Sequence, residues 1–164
     1  MFERTEAQDK NIRAIEYDAY FMLREHVGSQ EIQEAWRETA QHLSMIHGLL
    51  RERSIRMILA FLPHGIQVGS DQWAKGRARW GFEPGKTYDN PLMTQWLRSY
   101  AQERSIGFVD LLPSFRQASD QPLFFEKDGH LKPAGHSVLA RGLLASPDFR
   151  RSLDLERSPR GLSP

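Results

Sequence analysis

Two short apolar runs, residues 55–62 and 106–112, constrain this chain more than any other feature. Each is strand-length and almost unbroken, the pattern of a parallel strand buried on both faces. Between them lies a helix signal. Asn90 supplies an N-cap side chain, Pro91 suits the first turn, and Leu92, Trp96, Leu97, Tyr100 and Ala101 recur on one face. Strand, helix and strand in this order form a right-handed crossover and a parallel sheet. The expected fold is α/β, a three-layer α/β/α sandwich with a parallel sheet. In such sheets ligands bind beyond the carboxyl ends of the strands. The segments that follow Leu62 and Leu112 therefore lie on the functional side.

The flanking chain fits one domain. Over residues 30–53, Ile32, Trp36, Ala40, Leu43, Ile46, Leu49 and Leu50 step at three and four, with Glu31 and Glu34 early and Arg51 and Arg53 late. That is an amphipathic helix with charges that complement its dipole. His42 and His47 on it read as surface or packing residues. Residues 2–26 carry an imperfect helical stripe through Ile12, Ile15, Tyr17, Ala19, Phe21, Met22 and Leu23; Gly28 breaks it and Ser29 reads as the next N-cap. Residues 113–120 suit a short helix or turn. Val138, Leu139, Leu143 and Leu144 give a last helix its buried face. Past Phe149 arginines mix with acids, prolines and a glycine. The expected division is a domain over residues 1–149 and a disordered tail over 150–164.

Composition narrows the partners. Lys and Arg total 22 against 21 Asp and Glu, a net charge of +1. No global field holds nucleic acid, and none is expected as a partner. No apolar run is long enough to span a membrane. The chain has no cysteine, which removes disulfides and thiolate zinc sites and leaves the compartment undecided.

Residues 63–89 form a long connection with little regular pattern. Trp73, Trp80, Phe82 and Tyr88 are interleaved there with Lys75, Arg77, Arg79 and Lys86. Two readings stand. Aromatic faces beside cations suit a sugar, with Trp73 and Trp80 as substrate-binding residues; alternatively the aromatics fold back to anchor the loop. His64, directly after Pro63, lies where the strand ends and is placed to touch a substrate.

The chemistry-bearing stretch is Asp128-Gly129-His130-Leu131-Lys132-Pro133-Ala134-Gly135-His136. The glycine lets the backbone turn between the acid and the histidine, and Pro133 suits the first helical turn. A carboxylate beside a histidine orients the ring and stabilises the imidazolium, which is what a general base needs. The alternative is a turn with a helix cap. His136 reads as a packing or capping residue. A metal site from Asp128, His130 and His136 lacks a further well-placed ligand, so no metal or other cofactor is expected.

This stretch, followed by Val138-Leu139-Ala140, resembles the last motif of the SGNH (GDSL-type) hydrolases. Arg56-Met57-Ile58-Leu59-Ala60-Phe61-Leu62-Pro63 resembles the family's late core strand, and Ile106-Gly107-Phe108-Val109-Asp110-Leu111-Leu112 the strand after it. Leu123-Phe124-Phe125 resembles the aromatic lead-in. The resemblance spans roughly residues 32–144 and points to the branch of bacterial polysaccharide O-acetyltransferases and acetylesterases. It implies acyl transfer through a serine ester, with Asp128 and His130 catalytic and an acyl ester of a small molecule or polysaccharide as substrate. The family's Gly-Asp-Ser turn is missing. Gly28-Ser29-Gln30 follows a helical pattern, and Gly69-Ser70-Asp71 falls after the late strand. The expectation is a C-terminal portion of such a domain, whose serine and oxyanion donors come from a preceding segment or another chain. The competing expectations are a non-catalytic carbohydrate-binding module and a partial fold that self-associates through an open sheet edge.

Overall fold

The structure, a computed structural model, describes residues 30–153. The helical stripe expected over residues 2–26, the Ser29 cap and the tail from 154 onward lie outside the described residues. Among the described residues nine elements follow in order: helix α1 (Gln30–Glu52), strand β1 (Ile58–Phe61), a one-turn helix α2 (Gly65–Val68), a 3₁₀ turn (Arg77–Trp80), α3 (Leu92–Glu103), β2 (Gly107–Asp110), α4 (Leu112–Gln117), α5 (Pro133–Ala145) and α6 (Pro147–Ser152).

β1 and β2 pair in parallel, Ile58 opposite Gly107 and Phe61 opposite Asp110. Each strand is four residues, shorter than its apolar run: the helix-to-strand turn takes the first residues of the run before β1, and the helix that starts at Leu112 takes the end of the run after β2. Both helix-to-strand turns use the same device. Ser54 (φ 55°) and Ser105 (φ 54°) are left-handed. Ile55 N–H donates back to Leu50 C=O at 2.9 Å, and Ile106 N–H to Ala101 C=O at 2.8 Å. These are Schellman-type ends with serine where glycine is usual.

Helices cover both faces of the sheet. On one face Tyr100, Ala101 and Ile106 form a core with Trp36, Ala40, Leu43, Leu59 and Phe108, and Trp36 stacks on Trp96 at 5.3 Å. On the other face Val109, Leu111, Phe115 and Val138 join Ile66, Trp73, Phe82 and Phe124 in the larger core. Two α1 positions depart from the expected stripe. Ile46 and Leu49 are half exposed, because α1 meets the sheet through Trp36, Ala40 and Leu43. Residues 150–152, assigned to a tail by composition, are helical. α6 caps the outer edge of β2, where Asp148 Oδ2 accepts Phe108 N–H at 3.0 Å.

The connection over residues 63–89 is packed rather than open. Arg77, one of the cations interleaved with the loop's aromatics, is fully buried. Its guanidinium donates to Lys86 O at 2.7 Å, Gly69 O at 2.8 Å and Gln72 O at 2.6 Å. Gln72 is equally buried; it donates to Gln121 O at 3.0 Å and accepts Leu123 N–H at 2.9 Å. A long loop must satisfy its own backbone when buried, and these two side chains do so.

Two outcomes are expected. Ser105→Gly, measured by urea denaturation, should stabilise the fold by about 0.5–1 kcal/mol, since glycine removes the left-handed penalty. Arg77→Met should cost at least about 3 kcal/mol, because one buried and two part-buried carbonyls lose charged donors, and limited proteolysis should then cut within residues 69–89.

Candidate acid–base site

The Asp–His stretch folds as a hairpin. Phe124 bridges antiparallel to Leu131. Phe125 N–H donates to His130 O at 2.8 Å, and Lys132 N–H to Leu123 O at 2.8 Å. Gly129 turns the tip with φ +74°. The hairpin stands on the segment after β1: Lys75 and Gly76 N–H both donate to Glu126 O, at 2.9 and 2.7 Å.

Asp128 Oδ1 accepts His130 N–H at 3.0 Å, and His130 Nδ1 lies 3.4 Å from the same oxygen. The carboxylate thus holds the histidine's backbone and lies beside its ring nitrogen. That backbone bond, followed by the contact with the His130 side chain, keeps the Asp128 carboxyl below the usual aspartate range. His130 is open to solvent, its side chain 83% exposed. His136 is exposed on α5.

Beneath the turn lies Trp73, 1% exposed and itself left-handed at φ 56°. A tryptophan in this conformation is strained, and the packing around it must hold it there. Its ring meets His64 edge-on at 4.4 Å and Phe82 at 6.4 Å. A Cβ on Gly129 would lie 3.3 Å from the Trp73 ring and 3.5 Å from His64 Nε2. His64 is thus brought up to the Asp128-Gly129-His130 turn from the carboxyl end of β1, as the sheet rule anticipates. Its backbone N–H donates to Gln67 Oε1 at 2.9 Å. Burial, and secondarily the Arg77 charge, push its pKa down to about 4, so it is neutral near pH 7.

The other expected residues separate. Trp73 is floor, and its burial leaves no open face for a sugar. Trp80, in the 3₁₀ turn, is half-buried against the same core and keeps some exposed surface. Asp110 caps the backbone rather than joining the turn: Oδ1 accepts Leu112 N–H at 3.1 Å and Oδ2 takes Arg98 at 3.2 Å. Gln72 and Arg77, which shape the floor, had no motif to mark them; the only signal was a long loop needing internal partners. A cavity of about 510 Å³ lies at the opposite end of the strands, lined in part by Ser54, Ile58, Ser105 and Gly107. The Asp–His turn is instead an open surface. Among the described residues no cluster of three or more His, Cys, Asp or Glu is arranged for a metal ion, and no helix is long and apolar enough to cross a membrane.

The His64 environment predicts a pH response. A histidine whose folded pKa is depressed binds protons more readily unfolded. Its neutral state is fully accommodated above pH 6.5, and stability falls as pH drops from 6.5 to about 4, by up to about 3 kcal/mol. Thermal melts across that range should show this slope in the wild type and a flatter one in His64→Asn.

A family model described as an SGNH hydrolase-like domain, acetyltransferase AlgX, matches residues 20–154. No curated protein and no solved structure matches the chain. The match takes in the sheet, the packed connection and the Asp–His hairpin together, and the chain belongs to the family of SGNH hydrolase-like domains of the AlgX acetyltransferase type.

Proposed function

We propose that this chain carries the acid–base half of an acyl-transfer site, with His130 as general base and Asp128 as its orienting carboxylate. The observation that supports it is the Asp128–His130 pair, set on a hairpin at the carboxyl edge of a parallel sheet and open to solvent. His130 takes the proton of a serine hydroxyl as the oxygen attacks an ester carbonyl. The imidazolium then returns that proton to the departing alkoxide. In the second half His130 deprotonates water or a sugar hydroxyl, which releases the acyl group and regenerates the serine. The serine and oxyanion donors come from outside the described residues. The substrate is an acyl ester, of a polysaccharide or a small molecule. His64 and Trp73 hold the turn from below, and Trp80 and the half-exposed Phe125 are the aromatic surfaces placed for a sugar.

Non-catalytic carbohydrate binding is the second reading, favoured by the exposed Phe125 with Lys132 Nζ 6.0 Å from its ring. The two readings separate on variants. Purified chain should hydrolyse 4-nitrophenyl acetate little above background, since a general base alone contributes about 10²- to 10⁴-fold and each oxyanion donor about 10²- to 10³-fold. Robust hydrolysis lost in His130→Ala would overturn the need for an external nucleophile. When a serine-bearing partner or longer polypeptide is active, His130→Ala should cut turnover about 10²- to 10⁴-fold; unchanged turnover would remove His130 from the mechanism. Polysaccharide retention that falls in Trp80→Ala and ignores His130→Ala would favour binding over chemistry.

A further inference from the structure

The cavity at the amino ends of β1 and β2 has the volume of a small-molecule site, about 510 Å³. Open α/β sheets hold their reactants at the opposite, carboxyl ends of the strands. This cavity is therefore separate from the Asp–His turn, and nothing about it depends on the acyl-transfer reading.

Three segments bring hydrogen-bond donors to it. His47 and Arg51 are four residues apart near the end of α1, a spacing that puts both on one face. Arg56 enters from the turn before β1, and Arg151 from α6. Arg56 Nη1 donates to Arg151 O at 2.8 Å, which ties two of these walls together. The one acid in the lining is Asp148. Both its oxygens are engaged, Oδ2 by Phe108 N–H and Oδ1 by Arg151. Three guanidiniums in the lining thus meet a single carboxylate, and the cavity carries an excess of positive charge. α1 and α6 both end here, and their carbonyl ends oppose an anion by at most about half a charge each. The guanidinium excess outweighs that.

The two helix-to-strand turns add hydroxyls. Ser54 and Ser105 both line the cavity, and both are left-handed. Glycine is the residue this conformation favours. Neither hydroxyl bonds to another group among the described residues. Strained non-glycine residues cluster at sites that clamp ligands. What serine has and glycine lacks is a hydroxyl that can donate to an anion. Ile55, Met57 and Ile58 supply an apolar wall beside these polar groups.

We propose that this cavity binds a phosphate group, free or carried on a small molecule. Arg51 and Arg151 are its charged donors, and the Ser54 and Ser105 hydroxyls complete its shell. A carboxylate is planar and is served by one guanidinium fork. Donors that arrive from three segments suit an anion with oxygens on several sides, and the guanidinium fork matches phosphate as well.

Isothermal titration of the complete 164-residue chain with inorganic pyrophosphate, at an ionic strength held constant with sodium chloride, tests this. Saturable binding at one site is expected, with a Kd below about 1 mM. Arg51→Gln, at an exposed position, should weaken binding at least about 10-fold with the melting temperature unchanged. Ser105→Gly should weaken binding about 3-fold while it raises the melting temperature, a pair of opposite effects that damage to the fold does not produce. Lys127→Gln, beside the Asp–His turn, should leave binding unchanged. Adenosine diphosphate in place of pyrophosphate separates the sources: tighter binding marks a phosphate carried on a small molecule, and equal or weaker binding marks the free anion. The proposal is overturned if neither probe saturates, if Arg51→Gln or Ser105→Gly leaves the Kd unchanged, or if Lys127→Gln weakens binding as much as Arg51→Gln does.

Discussion

The geometry of the acid–base pair depends on the burial of one tryptophan in an unfavourable backbone conformation. Trp73 is left-handed, and a bulky residue adopts that region only when its surroundings over-determine it. Here the determinants are specific. Gln72 ties the preceding residue to the chain at 121 and 123, and Arg77 closes the loop over the carbonyls of residues 69, 72 and 86. The indole then forms a flat floor on which the glycine tip of the hairpin rests. A side chain at Gly129 would meet both strain and the ring, so the floor and the tip constrain each other.

Two histidines flank that tip in opposite environments. His64 is below it, desolvated and held neutral by burial and a neighbouring guanidinium. His130 is above it, in water, with a carboxylate beside it. The two imidazoles thus meet different surroundings within one small volume, one packed and one in water. A neutral imidazole under the turn adds no charge that would repel the imidazolium proposed to form above it.

The sheet and its helices were legible in the sequence because their signals are local and periodic. The apolar runs around Ile58 and Val109, the Asn90 cap, whose Oδ1 accepts Leu92 N–H at 3.0 Å, and the start of α5 at Pro133 all stand where residue pattern puts them. The turn at Asp128 and His130 was legible because the glycine between them permits it and Pro133 starts a helix just after. The packed connection was not. Its order comes from Gln72 and Arg77 reaching backbone carbonyls elsewhere in the chain, and no spacing encodes such long-range partners. For the same reason Trp73 read equally well as a sugar platform or an anchor, and only its neighbours decide. Asp148 is a further case: an acid near the end of the expected domain, marked by no motif, caps a strand edge.

The Asp–His hairpin shares no ladder with β1 or β2. It is suspended from the 63–89 connection by two amides on Glu126 and by the Trp73 floor. The height and tilt of the Asp128–His130 turn above the sheet are therefore set by a loop, while the sheet is set by its own helices. Insertions or deletions in that loop can re-aim the Asp128–His130 turn without disturbing the ladder, which leaves the turn able to vary while the fold beneath it stays fixed.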